Sequence, residues 1–355
     1  MHFLKNADVP EFISRLAMDN TVYLPTSHDK GYFLQPLTDE GIKSNTFLFN
    51  SVRTALPLLK SLLFPLRCIS SRYSTEKEKS KTAGKPNVLF GIKACDLLGK
   101  KVIDTVFLKG DYVDGLYKAN CENTVIISGD CTEALPNCFC TVVGVQPHPT
   151  ELYDLNMSPI DGGFVFEAGS PKGESLIKDN AGLFSPVAPQ QIAERDAQRN
   201  RVKSVVETQN KEYRAVESRQ KSIERNIFPL GTAYAAAPVW EIESRTCVEC
   251  NGCNYVCPTC YCFLLYDQKG GDGYERVKTW DSCFHAGYAR MAGGLTPRLH
   301  LVERFKNHYY HKFDSYVTNY GFEACSGCGR CIETCMGKID KRKVLKAVEK
   351  SVNLK

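Results

Sequence analysis

The first half of the chain mixes strand and helix patterns of hydrophobic residues. Apolar runs at 87–92 and 124–128 predict two buried strands, and a helical pattern at 97–108 follows the first of them. Across 162–166 two glycines precede alternating phenylalanines, which predicts a hairpin or an edge strand. Residues 1–185 are therefore predicted to form an α/β domain.

The most apolar segment of the sequence spans residues 55–66. It contains Lys60 and is too short to cross a bilayer, which takes about 20 apolar residues. Proline interrupts it at Pro57 and Pro65, so the segment is predicted to be a short buried helix. The sequence predicts no membrane span.

A change of composition follows the α/β pattern. Residues 189–225 are rich in Gln, Glu, Arg and Lys, with sparse Ile, Val and Ala, which is typical of a long solvated helix with a thin apolar stripe. We interpret 186–235 as a charged helical connector and expect its charges to face water and not to form a binding site. Residues 236–355 then form the C-terminal domain.

Two cysteine runs dominate this last domain, and each has the form CxxCxxCxxxC. They are Cys247, Cys250, Cys253 and Cys257, and Cys325, Cys328, Cys331 and Cys335. This is the ligand run of bacterial two-cluster ferredoxins. The C-terminal domain is therefore predicted to be a ferredoxin-like 2[4Fe-4S] domain with a long insert between its runs, and to move electrons.

The spacing also predicts which thiols share a cluster. In such runs the first three thiolates wrap one cubane, while the fourth points away and ligates the other. Cluster A is then assigned to Cys247, Cys250, Cys253 and Cys335. Cluster B is assigned to Cys257, Cys325, Cys328 and Cys331.

Structural zinc is the alternative, because CxxC pairs also build zinc sites. Those sites use two separated pairs, which leaves no role for two complete four-cysteine runs. Pro258 follows the first run, where a proline turns the chain after the last ligand, but Met336 follows the second. This departure affects a turn and removes no ligand.

Composition favours a reducing compartment. The chain has 17 Cys in 355 residues and no N-terminal apolar stretch with a small-residue cleavage site, so we expect a cytoplasmic protein whose cysteines bind metal. The formal charge of +5 does not indicate nucleic acid, because each oxidised cubane with four thiolates carries about −2. The basic, aromatic stretch 298–312 is interpreted as an amphipathic helix that covers a cluster, in preference to a surface for an acidic partner or nucleic acid.

Four cysteines lie outside the runs in the α/β part. Cys95 and Cys131 each follow a predicted strand, at the edge of a sheet where ligands bind, and Cys138 and Cys140 come shortly afterwards. These four thiols could hold a further cubane or a structural zinc. The alternative is that they are small buried apolar residues.

The insert between the runs carries Cys260, Cys262 and Cys283, with His285 two residues further on. Three thiols and an imidazole could bind a metal as extra ligands. We favour the interpretation that the thiols pack beside cluster B and tune its potential.

Several motifs follow one another in a fixed order along the chain. They are GIKACDL at 91–97, CTEALPNCFC at 131–140, CVECNGCNYVCPTCYCF at 247–263, WDSC at 280–283 and CSGCGRCIETC at 325–335. Together they resemble the family of the dicluster iron–sulfur subunits of anaerobic sulfite reductase. That family includes the beta subunits of soluble NAD(P)-linked nickel–iron hydrogenases, the sulfhydrogenases.

The resemblance implies a cytoplasmic iron–sulfur electron-transfer subunit of a multi-subunit oxidoreductase. Such subunits work with a flavoprotein that binds FAD and a pyridine nucleotide, and with a catalytic redox subunit. The resemblance also implies a third [4Fe-4S] cluster at Cys95, Cys131, Cys138 and Cys140. Lys93 and Ala94 stand where that family has arginine and proline.

The sequence predicts no catalytic residues and no flavin or nucleotide site on this chain, because it has neither a GxGxxG turn after a strand nor a GxxxxGK[ST] loop. Hydride chemistry would then take place on a partner. Two alternatives remain: a catalytic iron–sulfur enzyme acting at an incompletely ligated iron beside Cys283 and His285 or beside Cys95, and a binding protein whose clusters are structural.

Overall fold

The computed structural model describes residues 1–38, 47–74, 84–213, 238–271 and 273–353. They fall into two compact units. The first draws on residues 1–64, 80–136 and 145–209, and the second on 65–79, 137–144 and 210–355. The described residues include no helix long and apolar enough to cross a membrane.

An eight-stranded mixed sheet forms the first unit. Its strands are β1 (His2–Lys5), β2 (Thr21–His28), β3 (Gly31–Pro36), β5 (Asn87–Ile92), β6 (Thr124–Gly129), β7 (Leu155–Ile160), β8 (Gly163–Ala168) and β9 (Phe184–Pro186), while β4 (Arg67–Ser74) belongs to the second unit. The order across the sheet is β3-β2-β5-β6-β7-β8-β1-β9. Strands β2, β5, β6 and β7 run parallel, and β7 and β8 form the hairpin predicted from the glycines and phenylalanines at 162–166.

Helices surround this sheet. They are α1 (Val9–Asp19), α2 (Leu58–Leu63), α3 (Ala94–Phe107), α4 (Gly115–Glu122), α5 (Pro171–Asp179) and α6 (Pro189–Gln209), with 3-10 turns at Asn6–Asp8 and Ala181–Leu183. Helix α2 starts after Pro57 and ends before Pro65, as the sequence predicted. The α/β class predicted for this part of the chain is confirmed.

The core lies between the sheet and α1. Phe12 on α1 packs edge-to-face with Phe90, Phe166 and Phe184. Strand β5 is buried along almost its whole length, as expected of a parallel strand covered on both faces. This burial on both faces explains why the apolar run of β5 shows no period-2 alternation.

Gly91 shapes the end of β5. Its φ of +73° is favourable only for glycine, and a side chain there would collide with Asn50, whose amide donates to the Gly91 carbonyl at 2.9 Å. The register between β5 and β6 shifts at this point. The chain then enters α3 at Ala94, three residues earlier than the sequence predicted, so Cys95 lies buried in the first helical turn.

Helix α6 accounts for most of the described part of the predicted connector. It packs on β7 and β8 and buries Val202 and Val206, its thin apolar stripe. A 3-10 turn at Lys211–Tyr213 follows and belongs to the second unit. The remainder of the predicted connector, 214–235, lies outside the described residues.

A buried ionic network fixes α6 on the sheet, so the expectation that the charges of this segment face water is wrong for Arg195 and Arg199. Arg199 on α6 donates to Asp130 at 2.7 Å, to Ser158 at 3.1 Å and to Glu167 at 2.9 Å. Asp130 is only 2% exposed. Removal of the guanidinium would leave this buried carboxylate without its ion-pair partner on α6.

We therefore expect Arg199→Met to lower the free energy of unfolding by about 3–5 kcal/mol. Arg15→Met is the matched control, because Arg15 pairs with Glu11 on the exposed face of α1, where such pairs contribute about 0–1 kcal/mol. Denaturant unfolding followed by circular dichroism measures both. Equal effects of the two substitutions would contradict the assigned role of Arg199.

The second unit combines a small antiparallel sheet with short helices around the cysteine runs. Its strands are β4 (Arg67–Ser74), β10 (Phe263–Lys269) and β11 (Gly273–Trp280), in the order β10-β11-β4. Its helices are α7 (Val239–Ser244), α8 (Gly252–Tyr255), α9 (Leu301–Tyr310), α10 (Tyr316–Tyr320), α11 (Arg330–Glu333) and α12 (Lys341–Asn353). A π-helical turn, His311–Ser315, joins α9 to α10, and 3-10 turns lie at Cys140–Val143 and Ala292–Gly294.

Candidate metal centres

The two cysteine runs form loops with matching backbone conformations. The third and fifth positions of each run have positive φ: Glu249 at 53° and Asn251 at 59° in the first, Gly327 at 61° and Gly329 at 74° in the second. Left-handed residues cost energy unless they are glycine, and turns of this kind form concavities that bind anions. Both loops are therefore folded to surround an anionic group.

The first loop opens on a cavity with about 560 Å³ of empty space. The cavity wall holds all four thiols assigned to cluster A: Cys247, Cys250, Cys253 and Cys335. The Ile339 N–H also donates to the Cys335 sulfur at 3.3 Å. The first three thiols of one run thus meet the fourth thiol of the other.

A second cavity, with about 320 Å³ of empty space, adjoins the other loop. Its wall holds the four thiols assigned to cluster B: Cys257, Cys325, Cys328 and Cys331. Within the described ranges no three His, Cys, Asp or Glu side chains come together as ligands of a single metal ion.

Four side chains line both cavities. They are Cys253, Cys331, His308 and Lys341. The two cavities are therefore direct neighbours within one unit. Helix α9 supplies Phe305, His308 and Tyr309 to the first cavity, which agrees with the amphipathic covering helix predicted from residues 298–312.

Burial affects the protonation of these thiols. It raises the pKa of Cys253 to about 12 and that of Cys325 to about 11, although Lys341 opposes both shifts. Metal ligation requires thiolates, so cluster assembly in the folded protein releases protons.

A buried lysine faces the second cavity. Lys312 is 2% exposed, and its Nζ lies 3.6 Å from the Cys257 sulfur, 2.7 Å from the Thr259 hydroxyl and 3.0 Å from the Ala324 carbonyl. Burial lowers its pKa, but the negative charge of Cys257 and neighbouring thiolates outweighs that effect and raises the pKa well above the usual value. Lys312 therefore places a positive charge beside a predicted cluster ligand.

Two of the three cysteines of the insert, Cys260 and Cys283, contact Asn254. The Cys260 sulfur lies 3.7 Å from Asn254 Oδ1, and Asn254 Nδ2 lies 3.3 Å from the Cys283 sulfur. Cys260 also hydrogen-bonds Cys257, a predicted ligand of cluster B. Cys262 contacts Cys283, and His285 pairs instead with Asp281 at 2.6 Å.

The four cysteines predicted to hold a third cluster divide between the two units. Cys95 and Cys131 lie at the carboxyl edge of the large sheet, where both interact with the buried amine of Lys93. Burial lowers the pKa of Lys93 to about 8, although Cys131 and Asp130 act in the opposite direction. The third cluster remains a prediction.

The segment of Cys138 and Cys140 belongs to the second unit and packs on the second cysteine loop. The Phe139 N–H donates to the Gly327 carbonyl at 2.7 Å, and a side chain on Gly327 would strike the backbone of Cys140. The Cys138 sulfur lies 3.9 Å from the Cys328 carbonyl oxygen. Two predicted third-cluster thiols thus adjoin the second cavity.

A partly buried histidine makes the second unit sensitive to acid. His311 lies 3.1 Å from the Tyr261 hydroxyl, and burial, aided by the charge of Lys312, lowers its pKa to about 4. In the unfolded chain its pKa returns to about 6.5, so the unfolded state takes up the proton first as the pH falls. The stabilisation is complete above about pH 6.5 and is lost between there and about pH 4.

We expect His311→Gln to reduce the loss of stability between about pH 7 and pH 5 by up to about 2 kcal/mol. Urea unfolding at both pH values measures this, with iron content checked in parallel. His28→Gln is the control, because His28 is exposed on the β2–β3 hairpin. An unchanged pH dependence in His311→Gln would exclude this histidine as the cause.

Three residues in or beside the cavities could not be recognised as functional from the sequence pattern. Lys341 and His308 lie between the cavities, and Asn254 links three sulfurs. Asn254 could have been noted, because it follows a predicted ligand directly. The other two are polar residues in helices whose burial depends on the folded arrangement of both runs.

Comparison with known proteins agrees with this geometry. Residues 246–339 match the family described as 4Fe-4S dicluster domain. The Sulfhydrogenase 2 subunit beta of Pyrococcus furiosus is 29% identical over 348 residues, which cover 97% of this chain and 96% of that protein. The resemblance to sulfhydrogenase beta subunits predicted from the motifs is confirmed. The chain is thus similar to a sulfhydrogenase beta subunit over nearly its whole length, and its residues 246–339 form a 4Fe-4S dicluster domain that implies bound iron–sulfur clusters.

Proposed function

We propose that this chain is an electron-transfer subunit of a multi-subunit oxidoreductase. It passes single electrons between a flavoprotein that binds NAD(P) and a catalytic redox partner. The observation that supports this most is the pair of adjacent cavities. Each is lined by the four thiols predicted to ligate one cluster, and Cys253 and Cys331 line both cavities. Two cubanes held there would be close enough to exchange electrons.

The residues proposed as ligands are those of the two cavities. Cys247, Cys250, Cys253 and Cys335 hold one [4Fe-4S] cluster, and Cys257, Cys325, Cys328 and Cys331 hold the other. Each cluster supplies a one-electron couple whose potential depends on hydrogen bonds to sulfur, burial and local charge. The chain contributes such hydrogen bonds through the Ile339 N–H and the Lys312 amine.

Cluster A lies at the accessible end of this relay. Cys250 is the exposed member of its ligand set, and the apolar side chains of Val248 and Met336 beside the runs are 63% and 72% exposed. A redox partner that covers this surface would exclude water from the cluster edge. We assign electron exchange with a partner protein to this side of the unit.

Anaerobic redox titration followed by EPR tests the proposal. We expect two reversible one-electron signals that broaden when both clusters are reduced, because neighbouring paramagnetic clusters interact magnetically. Addition of a reduced flavoprotein partner should reduce both clusters within its turnover time. Clusters that never reduce would indicate a structural role, and a signal that a substrate perturbs would indicate catalysis on this chain.

A further inference from the structure

Two cysteines outside the ferredoxin runs lie in contact at the end of the β10–β11 hairpin. Cys262 directly precedes β10 and Cys283 follows β11, where Phe263 pairs with Trp280. The Asp281 N–H donates to the Cys262 carbonyl at 2.9 Å, which extends the pairing toward the two thiols. Both cysteines are partly exposed, and their side chains hydrogen-bond each other.

A chain of hydrogen bonds indicates which thiol of this pair donates a proton and which accepts. Lys341 Nζ lies 2.7 Å from His308 Nε2, and since a lysine ammonium has only donors, Nε2 accepts. Burial lowers the pKa of His308 well below its usual value, so the ring is neutral and carries its proton on Nδ1, 3.7 Å from the Cys283 sulfur. Asn254 Nδ2 donates to the same sulfur at 3.3 Å. The Cys283 sulfur thus lies beside two donors, and its own S–H donates to the Cys262 sulfur.

Cys262 is the acceptor at the end of this chain. The Cys283 thiol and the Tyr288 hydroxyl both donate to its sulfur. The hydrogen bond from Cys283 lowers the pKa of Cys262 to about 6, and that from Tyr288 adds to it, although burial opposes them. A partly exposed thiolate beside a protonated thiol has the arrangement of a nucleophile with a resolving partner.

The pair is close to the predicted electron carriers. Asn254 Oδ1 lies 3.9 Å from the sulfur of Cys253, a proposed ligand of cluster A, and the other end of the same amide contacts Cys283. A single side chain thus separates the thiol pair from a cluster ligand. Electrons from a cubane bound by Cys253 would cross only the Asn254 side chain to reach the thiol pair.

We propose that Cys262 and Cys283 form a redox-active dithiol that reduces the disulfides of small organic thiols, with Cys262 as the nucleophile and Cys283 as the resolving thiol. This inference rests on the proposed electron-transfer function, because the reduced clusters supply the electrons that regenerate the pair. It assigns chemistry to two cysteines that the ferredoxin runs do not use.

The chemistry balances in two stages. The Cys262 thiolate attacks one sulfur of the disulfide RSSR, a mixed disulfide forms on Cys262, and the released RS⁻ takes a proton from water. Cys283 loses its proton to water and attacks the Cys262 sulfur, which forms the Cys262–Cys283 disulfide and releases a second RS⁻ that is protonated. Two electrons, one from each reduced cluster, and one proton then restore the Cys262 thiolate and the Cys283 thiol.

Trapping with oxidised glutathione tests the exchange step on the anaerobically purified protein with its full iron content. After alkylation of free thiols, mass spectrometry should find a Cys262–Cys283 disulfide without bound glutathione in the wild type. Cys283→Ser should retain glutathione on Cys262, whereas Cys262→Ser should retain none on Cys283. Cys68→Ser, which removes a partly exposed thiol on β4 of the same unit, should behave as the wild type.

Three results would overturn the dithiol. The first is equal glutathione retention in the two single variants. The second is loss of iron in Cys262→Ser or Cys283→Ser while Cys68→Ser keeps its iron, which would identify the pair as metal ligands. The third is a Cys262–Cys283 disulfide that persists after photoreduction of the clusters.

EPR recorded on the same samples separates this inference from the proposed function. Clusters that reduce reversibly while the disulfide persists would refute the dithiol and leave the electron-transfer function standing. Clusters that fail to reduce would refute the electron-transfer function. The glutathione trapping would still decide whether Cys262 and Cys283 exchange with disulfides.

Discussion

Replacement of Cys335 by alanine is expected to remove cluster A and leave cluster B in place, with a loss of about four iron atoms per chain. Cys335 belongs to the second run, yet it lies in the cavity of the first run with Cys247, Cys250 and Cys253. Without it, only three of the four thiols assigned to cluster A remain, and the cubane lacks its fourth protein ligand. Iron and acid-labile sulfide analysis of anaerobically purified protein measures the loss.

Double variants test whether Cys335 ligates the cluster of the first run or that of the second. If the fourth ligands are exchanged, Cys247→Ala/Cys335→Ala should lose the same four or so iron atoms as either single variant. Cys325→Ala/Cys335→Ala should lose about eight, because each substitution disables a different cluster. The reverse pattern would show that each run holds its own cluster. Cys68→Ala on β4 controls for general effects of removing a thiol from this unit.

Loss of a cluster should also weaken the fold around the runs. Metal ligation by distant cysteines contributes directly to folding stability. The cavities sit between short helices, α8 and α11, of four residues each, which could not persist alone. We therefore expect the second unit to unfold at lower denaturant concentration in both double variants.

The ferredoxin spacing predicts how the thiols group, because the geometry of a cubane limits the arrangement, and the ligand sets stay a prediction. Three ligands two residues apart must wrap one face, and the fourth must leave, so the partition of eight thiols follows from the sequence. The strands β5 and β6 were equally predictable, because parallel strands buried on both faces form continuous apolar runs. Helix α3 begins earlier than predicted, because its N-cap, Lys93, has no capping side chain that would mark the start in the sequence.

The sequence does not predict which charged residues are buried. Arg304 and Lys312 belong to a stretch that reads as a basic surface, and charged side chains are seldom fully buried unless they are paired. Arg304 is buried against the Leu299 carbonyl and Glu249, and Lys312 against Cys257. Glu249 and Cys257 each lie 55 positions away in the sequence, so this compensation appears only once the chain is folded.

Replacement of Lys312 by methionine is expected to lower the reduction potential of cluster B by roughly 60–130 mV. The Lys312 amine lies 3.6 Å from the Cys257 sulfur, and a hydrogen bond from a charged donor contributes about 1.5–3 kcal/mol. An electron added to the cubane increases its negative charge, so the ammonium stabilises the reduced form more than the oxidised form. For a one-electron couple, 59 mV corresponds to a factor of ten in the equilibrium constant.

The reduction potential of cluster B is easiest to measure in the Cys335→Ala background, where cluster B would be the cluster that titrates. Lys312→Arg should restore most of the potential, because it keeps a positive donor, and Lys306→Met on the preceding helix α9 should leave the potential unchanged, since Lys306 lines neither cavity. Iron content must equal that of the parent in all three. A shift of equal size in Lys306→Met would mean that the effect comes from net charge and not from the contact with Cys257. The reduction potential of cluster B would then depend on Lys312 through its contact with the Cys257 sulfur.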